Sequence, residues 1–415
     1  MQSGVNRGAS RSAMTLSSVI RRRLGSLRQA LRSSPIYPLY RRLPERRQLA
    51  DLGSLVDEIV RSPAGLDVAD SIHLQIEQRR AQRRTLPASF RDATVVGFGA
   101  SGWERYGLWP SFERECDFHF FSDGIKNDEP AYCMTTLGRR ERAARLVEFV
   151  RQVDKQRQVH IVFIYADSSN LTPEALGDLA QMGCWTVLMG LDDRHTFKAF
   201  ARGQLTVGVE TVAPHCDLYW TSWRAGALLL STRGSRAWFG GLGADPAFYH
   251  PVEVAQDIDV LFLGQAYGSR REVIRALQER GLKVDCRGFG WGGEFVSFDE
   301  TIRLFSRAKI VLGISNVGAM SNVTIMKGRD FEVPMCGACY LTQYTEELGD
   351  FFDIGKDLLC YADPLQAAEI IATLLRDPAR RERLRRNARE SALARNTWAR
   401  RLQEMFQVLA GQSGG

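Results

Sequence analysis

The stretch "IMKGRDFEVPMCGACYLTQYTEELGDFF", residues 325–352, decides how the chain folds. Gly328 interrupts the chain, a helix is expected to begin near Arg329, and "ACYLTQ" has the apolar run of a buried strand. Lys327 and Arg329 then stand at a helix start, where backbone N–H groups already favour an anion. Glu332 follows one turn later. A carboxylate there can accept both hydroxyls of a ribose while the two cations hold a diphosphate. The bland alternative is that Glu332 complements the helix dipole and the cations are solvated.

Working outward, the same strand–helix alternation fills the second half of the chain. "DIDVLFLG" (257–264), a helix over Ser269–Arg280, "LKVDC" (282–286), a helix around 299–308 and "KIVLGIS" (309–315) lead up to the opening stretch. Before them a Pro-containing connector, 243–256, separates an earlier series. That series has strands at 93–98, 116–121, 159–166 and 184–191, with helices over Arg139–Gln156 and Thr172–Met182. Near-continuous apolar strands alternating with helices imply parallel sheets covered on both faces. The fold class is therefore α/β, with two successive α/β halves of similar size, which form a cleft between them, and a basic helical N-terminal extension. The expected boundaries are 1–88 for the extension, 89–248 and 249–395 for the two domains, and 396–415 for a helix returning to the first.

"VVGFGASGWERYG" (95–107) carries Gly97, Gly99 and Gly102 in the spacing G-x-G-x-x-G, with Asp123 21 positions after Gly102. A dinucleotide fingerprint would need one unbroken helix from Trp103 to Cys116, yet Gly107 and Pro110 interrupt it. The loop is thus a weak argument for an NAD-dependent oxidoreductase.

The 415 residues are 44% hydrophobic and 25% charged, the composition of a globular protein of at least two domains. No apolar run approaches the roughly 20 residues that span a bilayer. No secretory-type apolar stretch opens the sequence, and eight scattered cysteines point to reduced thiols, so a cytoplasmic location is expected. The net charge of +7 is unevenly placed: residues 1–50 hold eleven arginines, no lysine and one acid, a net +10, which leaves −3 on the remaining 365. Within 14–47, Leu16, Val19, Ile20, Leu24, Leu27 and Leu31 recur at helical spacing among arginines. Such a helix suits an anionic membrane surface, or packs on its own protein with solvated arginines. No fold motif for nucleic-acid binding accompanies it, and none is expected.

"KGRDFEVPMCGACYLTQYTEEL" followed by "GKDLLCYADP" resembles the C-terminal half of group 1-type glycosyltransferases, in the branch that includes spore-maturation glycosyltransferase-like proteins. "DVLFLGQAYGSRREVI" (259–274), "NTWARR" (396–401), "CWTVLMGLDDRHTF" (184–197) and "CDLYWTSW" (216–223) extend the resemblance, in order, over roughly residues 90–405. It implies a GT-B architecture: two facing Rossmann-like domains, with a nucleotide diphosphate sugar held mainly by the second, an acceptor held by the first, and no metal or other cofactor. Carried over by position, Arg270, Lys327 and Arg329 would bind the diphosphate and Glu332 the ribose. Gly99 and Gly102 would let the first domain's backbone approach the donor. Many retaining relatives carry a second glutamate eight positions before the one matched by Glu332; here Thr324 stands there.

Asp192 and Asp193 follow an apolar strand, and Asp193 is the expected general base toward an acceptor hydroxyl; helix capping is the alternative. His195 and His215 are further candidate bases. Cys336 and Cys339 form a C-x-x-C with no second pair to complete a zinc site, so packing is expected. "RGFGWGGEF" (287–295) is a glycine–aromatic loop that either borders the donor pocket or is simply flexible. The expected function is transfer of a sugar to an envelope or secondary-metabolite acceptor. A non-catalytic maturation factor, a phosphorylase-like or epimerase use of the fold, and an NAD oxidoreductase are the alternatives.

Overall fold

The structure, a computed structural model, describes residues 68–99, 102–122, 135–166, 168–293, 295–317 and 320–411. The basic segment 14–47 and Asp123 lie outside the described residues. The first lobe runs from helix α1 (Val68–Arg80) to strand β1 (Thr94–Gly99), helix α2 (Leu108–Glu115), β2 (Asp117–Phe121), α3 (Thr136–Asp154) and β3 (Ile161–Tyr165). It continues through α4 (Pro173–Gln181), β4 (Trp185–Gly190), a short α5 (Asp193–Thr196) and a hairpin of β5 (Phe200–Arg202) and β6 (Leu205–Val207). Strand β7 (Leu218–Thr221), helix α6 (Arg224–Thr232) and β8 (Ala237–Phe239) complete it.

Its sheet is parallel, in the order β2-β1-β3-β4-β7-β8. Successive side chains alternate between two buried layers: Val95, Ile161, Phe163 and Val187 on one face, Val96, Phe98, Val162 and Ile164 on the other. Burial on both faces is why these strands read as unbroken apolar runs.

The second lobe comprises β9 (Ile258–Leu263), α7 (Arg270–Gln278), β10 (Val284–Arg287), α8 (Phe298–Arg307), β11 (Ala308–Leu312) and a hairpin of β12 (Asn316–Val317) and β13 (Met320–Thr324). Helix α9 (Arg329–Met335), β14 (Tyr340–Gln343), β15 (Leu359–Tyr361), α10 (Pro364–Arg376), α11 (Pro378–Arg395) and α12 (Trp398–Leu409) follow. This sheet is also parallel, ordered β10-β9-β11-β14-β15. The starts of α4, α10 and α11 share one device. Thr172, Asp363 and Asp377 cap through their side chains, and a proline occupies the first turn, where its missing N–H costs nothing.

Helix α12 crosses back to the first lobe. Phe406 packs 5.2 Å from Phe90 between ring centroids, and Trp398 stacks on Trp103 at 6.1 Å. Residues 68–88 are a correction to the expected boundary, because they are part of the first lobe. Ile72 and Ile76 are one helical turn apart and buried in its core, and Arg83 forms paired 2.9 Å bonds with Asp217.

The glycine loop does not open a long helix. Trp103–Tyr106 is a single 3-10 turn, and α2 starts afresh at Leu108 with Pro110 in its first turn. No described helix is long and apolar enough to cross a membrane.

Candidate functional site

In a parallel sheet, ligands bind beyond the carboxyl ends of the strands at the point where the strand order reverses. In the second lobe that point lies between β9 and β11, and Gly264 is the first residue past β9. Two guanidinium groups converge on it. A methyl group on Gly264 would lie 3.0 Å from Nη1 of Arg329 and 3.2 Å from Nη1 of Arg270. Arg270 is 6% exposed and held in place: Nη1 donates to the Gln265 carbonyl (3.0 Å), Nη2 donates to the Tyr267 hydroxyl (3.0 Å), and the Tyr267 ring lies 4.0 Å beneath it. Burial, with Arg329 nearby, pulls the Arg270 pKa below its ordinary value against the favourable influence of Tyr267. Nε of each arginine is buried without a hydrogen-bond partner, and among the described residues neither forms an ion pair with a carboxylate. Two neighbouring cations without a direct ion-pair partner make an anion site.

Glu332 stands beside this pair. Burial raises its pKa, and Arg329 opposes that shift. The hydroxyl of Tyr249, from the interlobe linker, donates to Oε1 at 3.1 Å. Gly328 leaves room for the same oxygen, since a methyl group there would come within 2.9 Å of it. The 327–330 turn is held by Asp330, which is 1% exposed. Its carboxylate accepts from the Lys327 N–H (2.7 Å), the Tyr340 hydroxyl (2.8 Å) and the Thr342 hydroxyl (3.1 Å). Helix α9 spans only seven residues, so these side chains, more than a helix dipole, make the site.

Lys327 points elsewhere. Its Nζ lies 2.9 Å from Oδ1 of Asp192, on the first lobe. At Thr324, the position of the missing glutamate, the backbone carbonyl accepts from Arg194 Nη1 at 2.6 Å, a second bridge between the lobes.

The expected base, Asp193, lies buried at 3% exposure, and its Oδ1 accepts from the Tyr219 hydroxyl at 2.9 Å in a space that Gly190 leaves open. Burial pushes its pKa up to about 6. Asp192, with its side chain 57% exposed, is the carboxylate that faces the other lobe. It precedes α5 but makes no side-chain cap. His195 is next to both Asp192 and Lys327; burial lowers its pKa and Nδ1 has no hydrogen-bond partner. His215 is exposed on a separate 3-10 turn.

Gly99 has a packing reason of its own, because any side chain there would collide with the Tyr165 carbonyl oxygen on β3. Gly102 is exposed beyond it. Sequence reasoning missed Glu104, whose carboxylate is 2% exposed, has Oε2 unpartnered and is raised in pKa by burial. It also missed Tyr249, Asp330 and Tyr219, whose roles depend on partners distant in sequence. Cys336 and Cys339 are buried free thiols, as packing requires. The 287–295 loop leans on the site: Trp291 Nε1 donates to the Gly264 carbonyl at 2.7 Å, while Phe289 and Phe295 are 84% and 95% exposed.

Comparison with known proteins agrees with this geometry. Residues 270–407 match the family model described as "Glycosyl transferase-like". HepE from Anabaena, solved with UDP, shares the fold at 14% identity, with a TM-score of 0.51 over 77% of this chain and 99% of that one. Sucrose-phosphate synthase from Thermosynechococcus elongatus (12% identity, TM-score 0.51, 77% and 98% covered) does so as well. A glycosyltransferase from Rickettsia africae, at 8% identity, has the same TM-score and coverage. No curated protein matches the sequence. The chain has the GT-B fold of these structures, and its residues 270–407 match the glycosyl transferase-like family.

Proposed function

We propose that this chain is a glycosyltransferase that takes a nucleotide diphosphate sugar as donor and passes the sugar to an acceptor held by the first lobe. One observation carries the reading: Arg270 and Arg329 meet at Gly264, at the sheet's reversal point, and among the described residues neither is salt-bridged to a carboxylate, Glu332 beside Arg329 being hydrogen-bonded by Tyr249 instead. The diphosphate lies on these guanidinium groups, with Lys327 completing the cluster. Glu332, fixed through one oxygen by Tyr249, takes the ribose hydroxyls with the other.

As the glycosidic bond breaks, charge grows on the leaving diphosphate, and fixed cations stabilise it without a metal. HepE has been solved with UDP and with UDP-glucose, which supports a donor of this type. The acceptor is placed in the envelope or secondary-metabolite class on the resemblance to the spore-maturation branch alone. Gly102 is assigned to the donor side of the cleft on the resemblance. We assign residues 14–47 to an anionic membrane surface on the inner face; deletion of residues 1–50 should abolish binding to anionic vesicles and spare nucleotide affinity. The donor assignment is tested by titrating diphosphate nucleotides into the protein and its arginine variants.

A further inference from the structure

We propose that Asp192 is a latch which the donor opens: it holds Lys327 in the free enzyme and is displaced when the donor's diphosphate takes that ammonium. The inference rests on the donor reading above and adds an order of events to it. Lys327 is two residues from Arg329 on the turn held by Asp330, yet its Nζ spans to the opposite lobe and meets Asp192 Oδ1 at 2.9 Å. Among the described residues the Asp192 carboxylate makes no second ion pair or hydrogen bond: it stands at the start of α5 without capping it, and the neighbouring Asp193 is the one bound to Tyr219. The pair is partly open to solvent, with side chains 23% and 57% exposed, so its strength is that of a surface ion pair. A diphosphate already held by Arg270 and Arg329 outbids a single carboxylate for the same ammonium.

Once Lys327 has turned to the donor, Asp192 faces the cleft with both oxygens free to accept from an acceptor hydroxyl. Donor therefore binds first, and the acceptor meets a carboxylate that was occupied before.

Isothermal titration of UDP into the full chain tests this with Asp192→Asn, Asp192→Ala, Lys327→Met and the Asp192→Ala/Lys327→Met double variant, each checked for an unchanged melting curve. Removing the carboxylate should tighten UDP binding about two- to fivefold, the value of an exposed pair worth up to about 1 kcal/mol. Lys327→Met should weaken it, and the gain from Asp192→Ala should vanish in the double variant. UDP affinity unchanged or lowered by both Asp192 substitutions, with the wild type binding normally, overturns the latch and leaves the donor reading standing. A wild type that binds GDP or dTDP in place of UDP is titrated with that nucleotide, and one that binds none of the three removes the donor reading, and the latch with it.

Discussion

Arg270 and Arg329 approach each other at Gly264 closely enough that one added methyl group would press on both guanidinium groups. Like charges placed side by side in a half-buried crevice destabilise the empty protein, and an anion relieves them. The Gly264→Ala substitution should displace the two side-chain tips, the new methyl also meeting the Phe262 ring of β9 at 3.1 Å. The expected result is a roughly tenfold loss of nucleotide affinity, the loss of about one charged hydrogen bond. Calorimetric titration reads the affinity, and a thermal melt should stay within a few degrees of wild type.

Glu332 and Tyr249 should act as one unit, since the linker tyrosine fixes one oxygen of the carboxylate. Glu332→Gln should weaken UDP binding about tenfold, and Tyr249→Phe about threefold. The diagnostic comparison is 2′-deoxy-UDP. It should bind the wild type more weakly than UDP does, and the two nucleotides should bind Glu332→Gln almost equally.

Asp193 gives a pH prediction. Its folded pKa of about 6 lies above the unfolded value near 4, so the folded state holds the proton through that window and the unfolded state releases it. Stability should therefore fall as pH rises from about 4 to about 6, by on the order of 2–3 kcal/mol from this group. Asp193→Asn stays neutral and keeps an oxygen for Tyr219. Its melting temperature should exceed wild type above pH 6.5 and converge with it near pH 4.

Gly99 separates packing from cofactor binding. An alanine there meets the Tyr165 carbonyl, which is backbone and cannot swing aside, and the Trp109 ring at 3.1 Å. Gly99→Ala should cost about 1–3 kcal/mol in a denaturant titration. NADH fluorescence should show no binding to either protein.

Much of this was legible because it is local. Strand periodicity, the helix over Thr172–Met182 and the run from Lys327 to Glu332 each describe a few neighbouring residues. The meeting of Arg270 with Arg329 followed from the resemblance, because it depends on strand order across 59 positions. The choice between Asp192 and Asp193 was not legible. Both end the same strand, and what decides it is a Tyr219 hydroxyl 26 residues on and a lysine 135 residues on. The reason for Gly99 was hidden too: glycine in a G-x-G spacing is equally required by a phosphate and by a neighbouring carbonyl, and only the position of β3 tells them apart.

Titration of UDP, GDP and dTDP into the wild type and an Arg270→Ala/Arg329→Ala variant bears most directly on the anion crevice. At least one of the three nucleotides should bind the wild type, and its affinity should drop a hundredfold or more when both guanidinium groups are gone. Failure of all three to bind the wild type, or equal binding by the doubly substituted protein, would contradict the assignment of the crevice to a nucleotide diphosphate.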